Sequence, residues 1–442
     1  MKIAILGAGV SGLALAQKLI QGGHDRADLT LFEASPRAGG LCASKTVDGF
    51  TYDETGGHVL FSKDKPVMEW MIQEAGGHDA FHERDRNTKI RFEDRWVHYP
   101  FENGLGDLPD QANFECLSGY IKAWHARQVS GADAPADFAA WIEWRFGSGI
   151  CDHFMRPYNE KIWKRDLAEI TSGWVAGRVP DAPIDDVLRA SIGIRTEGYT
   201  HQSIFYYPKQ GGFQGITDGL FASVQDRVRL STPVTSLTKR GETYKVNGEE
   251  FDHVVNTVPL NLVPDFCDSL DADGADAMRN LANNQISCML LALDREEHPP
   301  LSWVYLPHHD QGPANRITYM SNYATANAPA GKTSFLCEVT SPGGGAYPGP
   351  ELADEVIDGM ARAGLLRKEE VLFHDRTDTR WAYIVYDHGF EAKKAAALAS
   401  AADWGMDLLG RFGRYEYHNS DQCVIQATAL AGRLLERAET GR

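Results

Sequence analysis

Residues 1–19, MKIAILGAGVSGLALAQKL, decide the fold class of this 442-residue chain. Residues 2–6, KIAIL, alternate little between apolar and polar side chains, so they predict a strand buried in a parallel sheet. Glycines follow this run at close spacing, and residues 11–19 have the pattern of a helix. Strand, glycine turn and helix in this order predict the start of a nucleotide-binding βαβ unit.

Each glycine of the turn has its own role in such a unit. Gly7 permits the tight turn, Gly9 lets a pyrophosphate approach the backbone, and Gly12 lets the helix pack closely on the strand. The predicted helix begins at Ser11 and offers free N–H groups to the phosphates. The next predicted strand ends at Glu33, whose carboxylate is placed to bind a ribose hydroxyl. We therefore expect an α/β fold with a Rossmann-type domain.

Composition limits the class of protein. There are 61 acidic and 44 basic residues, and the net charge of −17 argues against nucleic acid or an anionic membrane as a bulk partner. The apolar stretches are too short to predict membrane insertion. The seven cysteines are scattered without a C-x-x-C pair, which predicts reduced thiols in a cytoplasmic protein. We predict no metal site, because the cluster at residues 308–310 lies in a polar loop without helical spacing.

Motifs further along the chain resemble those of the FAD-containing amine-oxidase superfamily. Residues 33–41, EASPRAGGL, resemble its extended FAD fingerprint, and residues 52–58, YDETGGH, resemble its segment beside the isoalloxazine ring. Residues 207–215, YPKQGGFQG, resemble its turn into a helix. The resemblance implies FAD as the cofactor, held by Gly7, Gly9, Ser11, Gly12, Glu33, Arg37, Gly39, Gly40, Leu41, Gly57, His58, Val234, Gly410, Arg411 and Asn419.

The FAD-binding domain is then expected to be discontinuous, with two substrate domains inserted. We predict that it comprises residues 1–100, 205–260 and 400–442. Residues 101–204 predict a helical substrate domain, because apolar residues recur there at helical spacing. Residues 261–399 contain several strand-like runs and predict an antiparallel sheet, with helices, that forms a wall of the substrate site.

A narrower resemblance covers nearly the whole chain. Residues 96–103, 156–163, 302–323 and 410–421 resemble segments of UDP-galactopyranose mutases, which interconvert pyranose and furanose rings of nucleotide sugars. This resemblance implies a flavin-dependent isomerase acting on a UDP-hexose through a reduced-FAD N5–sugar adduct. It also implies a UDP-sugar or related nucleotide sugar as the substrate and a role in polysaccharide biosynthesis, and it is compatible with a homodimer.

The mutase resemblance assigns residues to the site. Arg178 and Arg316 match the two arginines that hold the diphosphate, and His58 matches the histidine beside the flavin, so these three are the predicted catalytic residues. Arginine binds a diphosphate bidentately and stays charged, while tyrosine adds neutral donors. The predicted substrate-binding residues are Tyr99, Asn103, Asn159, Trp163, Tyr305, Tyr323, Tyr386 and Tyr417, with Tyr383 as the alternative to Tyr386.

Three residues, in two segments, depart from the mutase pattern and leave the identity of the sugar open. Glu102 stands where some members have an amide, and His418-Asn419 replaces an apolar residue and an acid. The alternative function is an FAD-dependent oxidoreductase of the amine-oxidase or protoporphyrinogen-oxidase type, including one acting on a nucleotide sugar. That alternative predicts an apolar, aromatic-lined cavity without diphosphate-binding arginines. A flavin-binding scaffold without turnover is the third hypothesis.

Overall fold

The computed structural model of the protein describes residues 1–175, 179, 183–196 and 203–440. Within this part of the chain, the strands are β1 (Ile3–Leu6), β2 (Leu29–Phe32), β3 (Ser44–Val47), β4 (Phe50–Asp53), β5 (Phe81–Asp85), β6 (Thr88–Phe92), β7 (Arg95–His98), β8 (Ile204–Pro208), β9 (Val228–Arg229), β10 (Leu237–Arg240), β11 (Thr243–Val246), β12 (Glu249–Phe251), β13 (His253–Asn256), β14 (Asn283–Leu293), β15 (Trp303–Tyr305), β16 (Arg316–Tyr319), β17 (Thr333–Pro342), β18 (Val371–Ile384) and β19 (Asp407–Leu408). The helices are α1 (Val10–Gln21), α2 (Lys65–Glu74), α3 (Asp110–Ser130), α4 (Phe138–Ile150), α5 (Arg156–Trp163), α6 (Ile184–Ser191), α7 (Gln214–Val224), α8 (Ala272–Arg279), α9 (Met320–Tyr323), α10 (Leu352–Arg362), α11 (Phe390–Trp404) and α12 (Ser420–Thr440).

A five-stranded parallel sheet holds the N-terminal strand at its centre. The strand order is β19-β13-β1-β2-β9, and each neighbouring pair is parallel. All four residues of β1 are buried, which explains its continuous apolar run. Helix α1 packs against α12 and α7. The predicted α/β fold with a Rossmann-type domain is confirmed.

A seven-stranded sheet forms the second layer of the molecule. Its order is β18-β14-β17-β16-β15-β6-β7, antiparallel except where β15 runs parallel to β6. Five strands come from the predicted substrate wall, while β6 and β7 come from the first segment assigned to the FAD-binding domain. The domain bounds from the sequence stay a prediction. Helix α10 covers an apolar cluster on one side of this sheet.

Helices α3 to α6 lie between the two halves of the nucleotide-binding sequence. Helices α3 and α4 approach closely where Gly147, with φ of +75°, meets Gly119. A Cβ atom added at Gly147 would lie 2.2 Å from the Gly119 carbonyl oxygen, so a side chain there would force the helices apart. Helix α5 follows and packs against β17. The helical segment is thereby attached to the seven-stranded sheet.

Three further features concern the part of the chain that the structure describes. All seven cysteines are free and buried. No group of three or more histidine, cysteine, aspartate or glutamate side chains is arranged to hold a metal ion within the described ranges. Among the helices described, none is both long and apolar enough to cross a membrane.

Candidate active site

The turn between β1 and α1 forms a cradle of exposed backbone. Gly7 has φ of +101°, which favours glycine, and its N–H donates to the Phe32 carbonyl oxygen at 2.8 Å. A Cβ atom added at Gly12 would lie 2.1 Å from the Gly7 carbonyl oxygen, so only glycine lets α1 begin this close to the strand. Helix α1 has no side-chain cap at Gly9, and its first N–H groups are available to an anion.

Glu33 and a second glycine turn border this cradle. The Glu33 carboxylate accepts hydrogen bonds from the N–H groups of Ala8 at 2.8 Å and Ser35 at 2.9 Å, which hold it at the end of β2. Gly9 pairs with Gly39 through the backbone, and the chain continues from there through Gly40 and Leu41. The two turns meet without intervening side chains, which leaves a backbone-lined groove suited to a pyrophosphate.

Two other predicted cofactor residues lie beside the same groove. The Arg37 guanidinium donates to the Ser44 carbonyl oxygen at 2.7 Å and pairs with Glu54. Val234 follows a segment whose Thr232 N–H donates to the Glu33 carbonyl oxygen at 2.8 Å. The structure therefore brings Val234 to the neighbourhood of Glu33, the predicted ribose-binding acid.

The C-terminal turn closes the groove from the other side. Gly410 has φ of +85°, and a Cβ atom added to it would lie 2.4 Å from the Ser11 hydroxyl oxygen. The guanidinium carbon of Arg411 lies 3.9 Å from the centre of the Tyr417 ring. Asn419 immediately precedes α12. Gly410 is nearly the full chain length from β1 in sequence, and the fold places it against Ser11 at the start of α1.

Two buried polar atoms beside the groove have no partner among the described residues. They are Nδ1 of His58 and Nε of Arg411. The His58 ring stacks on Phe213 with centroids 5.3 Å apart, so its orientation is set. Buried nitrogen atoms in folded proteins nearly always find a partner. The backbone groove, the fixed Glu33 carboxylate and these two atoms together fit a bound dinucleotide cofactor.

His58 is neutral at physiological pH. Burial, and the positive charges of Arg316 and Arg411, lower the pKa of its imidazole to about 3. Its backbone N–H donates to the Asp53 carboxylate at 3.1 Å. A neutral imidazole donates from one ring nitrogen and accepts at the other, so His58 can orient a cofactor or substrate but supplies no cation.

Asp53 ties together the two segments around His58. Its carboxylate accepts from the hydroxyl groups of Ser44 at 2.7 Å and Tyr207 at 2.9 Å, and from the Phe213 N–H at 3.0 Å. Burial raises the pKa of Asp53 to about 6 in spite of these hydrogen bonds. Residues 52–58 and 207–214 thus meet on one buried acid, which fixes His58 relative to the sheet.

Arg316 and Glu338 form the charged centre of the site. They are direct cross-strand partners on β16 and β17. Arg316 Nε donates to Glu338 Oε1 at 2.7 Å, Nη2 donates to the Gly57 carbonyl oxygen at 3.4 Å, and Nη2 also forms an ion pair with Glu338 Oε1 at 2.5 Å. The Glu338 side chain is only 1% exposed. Nη1 of Arg316 makes no hydrogen bond to any described residue, so one edge of the guanidinium is held and the other is available.

Tyrosine rings cluster beside this arginine. Tyr305 lies at the end of β15, with its ring centroid 5.1 Å from that of Tyr99 and 5.2 Å from that of Tyr158. Burial raises the pKa of Tyr158 well above its usual value, and Tyr305 adds to the effect while Arg316 opposes it. The Arg86 guanidinium carbon lies 4.9 Å from the Tyr99 ring centre. The cluster offers neutral hydroxyl donors beside a permanent cation.

The structure separates the two tyrosines between which the sequence left a choice. Burial and then Glu338 raise the pKa of Tyr383, which Arg316 and Arg411 oppose, so Tyr383 lies among the charged groups of the site. Tyr386 instead lies 6.2 Å from Trp174 and 4.7 Å from Phe390, measured between ring centroids. Tyr383 is therefore the nearer of the two to Arg316.

Asn159 and Trp163 lie one turn apart on α5. Trp163 Nε1 donates to Asn159 Oδ1 at 3.2 Å, and the Trp163 ring centroid is 5.1 Å from that of Trp174. Trp174 also contacts Tyr386, so Trp163 and Tyr386 share one aromatic neighbour. Arg178, four residues after Trp174, lies outside the described residues. Its predicted role stays a prediction.

Other predicted substrate residues are placed differently. The Asn103 amide donates to the Thr196 hydroxyl at 2.6 Å. The Tyr323 ring is 1% exposed and packs on Phe205 and Tyr207, each with centroids 5.1 Å away. Tyr323 is therefore buried against β8, the strand that carries Phe205 and Tyr207.

Glu102 is a buried acid on the helical side of the site. It is 4% exposed, and its Oε1 atom has no partner in the described part of the chain. Burial raises the pKa of Glu102 to about 7, and Arg145 opposes the shift. Glu102 also raises the pKa of Tyr120 on α3. Glu102, which departs from the mutase pattern, is thus a buried acid that faces α3 and α4.

Sequence reasoning did not assign Glu338, Tyr158 or Arg86 to the site. Glu338 had a usable signal, because it is the one charged residue in the otherwise uncharged strand β17. A charged residue in a buried strand is nearly always paired. Tyr158 and Arg86 lack such a signal, since only the packing of rings brings them to Tyr99 and Tyr305.

Known proteins resemble this chain in sequence and in fold. The model of the family described as flavin-containing amine oxidoreductase matches residues 10–388. A crystal structure of reduced UDP-galactopyranose mutase superposes with a TM-score of 0.89 and 26% identity over 98% of this chain and 95% of that chain. In sequence, 4,4'-diapophytoene desaturase of Staphylococcus aureus is 45% identical over 53 residues, 12% of this chain and 10% of the desaturase. That match spans only a tenth of the relative's length.

Two oxidases share the fold at lower identity. A protein described as protoporphyrinogen oxidase from Exiguobacterium sp. 255-15 has a TM-score of 0.74 and 16% identity, covering 99% of both chains. Putrescine oxidase has a TM-score of 0.65 and 17% identity, again over 99% of both chains. At this identity the likeness shows the fold alone. The cofactor that the groove accommodates is FAD, as the family match and the mutase structure show.

Proposed function

This chain belongs to the flavin-containing amine oxidoreductase family and is UDP-galactopyranose mutase-like within it, and on that premise we propose that it is an isomerase of UDP-hexoses. The proposed reaction interconverts the pyranose and furanose forms of the sugar while it is linked to UDP. We place the activity in the cytoplasm, in the supply of furanose units for polysaccharide biosynthesis.

The proposal depends mainly on the Arg316 guanidinium, which is held by hydrogen bonds along one edge only. Glu338 and the Gly57 carbonyl oxygen occupy its Nε and Nη2 atoms and fix its plane, while Nη1 has no partner among the described residues. An oriented arginine with one available edge binds a diphosphate, and its charge does not depend on pH.

Tyrosine hydroxyls complete the proposed diphosphate site. Tyr99, Tyr158 and Tyr305 form one cluster of rings. Burial raises the pKa of Tyr158 and of Tyr383 and Arg316 opposes both shifts, so both tyrosines lie near this arginine. Burial raises the pKa values of Tyr158 and Tyr383, so both hydroxyls keep their protons and donate to phosphate oxygens. In the proposed reaction these donors stabilise the UDP that leaves the anomeric carbon and hold it for its return.

The remaining residues position the sugar and the cofactor. We propose that Arg178 is the second diphosphate-binding arginine and that Asn159 and Trp163 line the sugar. Bound FAD in its reduced form supplies nucleophilic character at N5. His58 stays neutral beside it and orients groups through Nδ1 without repelling a developing positive charge. No side chain acts as a strong base in this scheme.

An anaerobic isomerisation assay tests the proposal. The FAD-loaded protein is reduced with dithionite, incubated with UDP-galactopyranose and a panel of UDP- and dTDP-hexoses, and the products are separated by ion-exchange chromatography. A new isomer that forms only with reduced protein is the expected result. If no substrate isomerises, and an amine, a porphyrinogen or a nucleotide sugar bleaches the oxidised flavin, the oxidoreductase alternative replaces the proposal.

A further inference from the structure

Lys161 is a buried ammonium group that the proposed reaction does not use. It lies on α5 and is 1% exposed. Its Nζ donates to the carbonyl oxygens of Leu306 at 2.8 Å and His308 at 3.0 Å. No carboxylate accepts from it among the described residues. Burial, with the nearby Lys164, lowers the pKa of Lys161 to about 7, although Asp310 opposes this.

The two carbonyl oxygens belong to the segment that immediately follows Tyr305. Leu306 is the next residue after Tyr305, and Lys161 is one helical turn after Tyr158 on α5. Residues three apart on a helix lie side by side. The ring contact between Tyr158 and Tyr305 and the hydrogen bond from Lys161 to Leu306 are therefore adjacent contacts between the same two elements.

We infer that Lys161 is a positioning residue that holds Tyr305 against Tyr158, and so sets the spacing of the tyrosine cluster beside Arg316. The inference depends on the proposed function in one respect, which is the identity of the ligand that the tyrosine cluster binds. A buried lysine without an acid partner is unfavourable for stability, and a methionine of similar length would fill the same space. The two hydrogen bonds, rather than stability, are therefore what distinguishes lysine here.

A second contact shows that α5 is held from more than one side. Asn284, at the beginning of β14, donates from its amide to the carbonyl oxygens of Ile162 at 3.0 Å and Trp163 at 2.8 Å. Asn284 holds the end of α5 that carries Trp163, and Lys161 holds the side that carries Tyr158. Removal of Lys161 alone is expected to free the segment after Tyr305 without detaching the helix.

The first experiment is a double-mutant cycle on the FAD-loaded protein. The dissociation constant of UDP-galactose is measured by calorimetry for wild type, Lys161→Met, Tyr305→Phe and the double variant. We expect Lys161→Met to weaken binding about tenfold in the wild-type background and less than about twofold in the Tyr305→Phe background. Equal losses in both backgrounds, or no loss, would overturn the inference. Lys332→Met, at an exposed ion pair with Asp294, is the matched control and should bind normally.

The second experiment does not depend on the ligand. Backbone hydrogen exchange of the FAD-loaded Lys161→Met variant should be faster than wild type in peptides covering residues 303–311 and unchanged in the parallel sheet. If Lys161→Met does not fold, Lys161→Gln, which keeps one donor, takes its place. If the wild type binds no UDP-sugar, the proposed function fails, and the role of Lys161 is then tested by hydrogen exchange alone. Unchanged exchange at residues 303–311 in the variant overturns that role.

Discussion

Replacing Arg316 should damage the protein in two separable ways. The Glu338 carboxylate is 1% exposed, and Arg316 is its ion-pair partner. The variant Arg316→Met therefore loses the proposed diphosphate contact and also leaves a buried carboxylate without a counterion. A simple activity measurement would confuse these effects, because a destabilised protein also binds ligand poorly.

The structure sets the size of each effect. Removing one partner of a buried ion pair costs about 3–5 kcal/mol, and since 24% of the Arg316 side chain is exposed, we expect the lower end, about 3 kcal/mol. The double variant Arg316→Met, Glu338→Gln has no stranded charge and should lie within about 1 kcal/mol of wild type. The coupling energy between the two positions should then be about 2 kcal/mol or more.

Denaturant unfolding and ligand binding separate the two effects. Unfolding midpoints of the FAD-loaded proteins are compared for wild type, both single variants and the double variant, and UDP binding is measured on the same samples. The double variant should be nearly as stable as wild type and still carry FAD, yet bind UDP at least about a hundredfold more weakly. If a single variant is as stable as wild type, the predicted stabilisation by the buried Arg316–Glu338 ion pair is refuted. If the double variant binds UDP as tightly as wild type, the proposed diphosphate contact of Arg316 is refuted.

Three further predictions concern pH, the glycine turn and the tyrosines. Burial raises the folded-state pKa of Glu102 from 4.5 to about 7. The carboxyl group therefore stabilises the folded protein fully below pH 4.5, and this stabilisation is lost as the pH rises through 7. In thermal unfolding, the free energy of unfolding of Glu102→Gln should therefore exceed that of wild type by up to about 3 kcal/mol at pH 8.5 and by less at pH 5. If the free energies of unfolding of the two proteins differ by the same amount at every pH, this prediction is contradicted. Gly12→Ala places a Cβ atom 2.1 Å from a backbone oxygen and should purify without flavin absorbance, whereas Gly432→Ala, with open space around it, should keep full flavin content. Tyr383→Phe should weaken UDP binding about tenfold and Tyr386→Phe less than about threefold, and calorimetry showing the reverse order would place the hydroxyl donor at Tyr386.

The nucleotide-binding half could be predicted because its rules are local. Gly7, Gly9 and Gly12 are selected by a tight turn, a close approach and helix packing, all within one βαβ unit. Glu33 follows from the same unit, since parallel strands end at one edge of a sheet. Arg316 was predicted from its motif and stays a prediction as a site residue, and its sequence neighbours alone do not show that Glu338 holds it.

Only the tertiary structure decided how the site is charged and spaced. Glu338 became the partner of Arg316 through the register of β16 and β17. The low pKa of His58 is caused by burial and by two arginines more than 250 residues away in sequence. The position of Tyr383 near Arg316, with Tyr386 beside Trp174, also follows from packing. Electrostatic and ring contacts act through distance in space, whereas helix, strand and turn preferences act along the chain. The sequence by itself therefore determined the cradle for FAD, and the fold determined the environment of the substrate-binding residues.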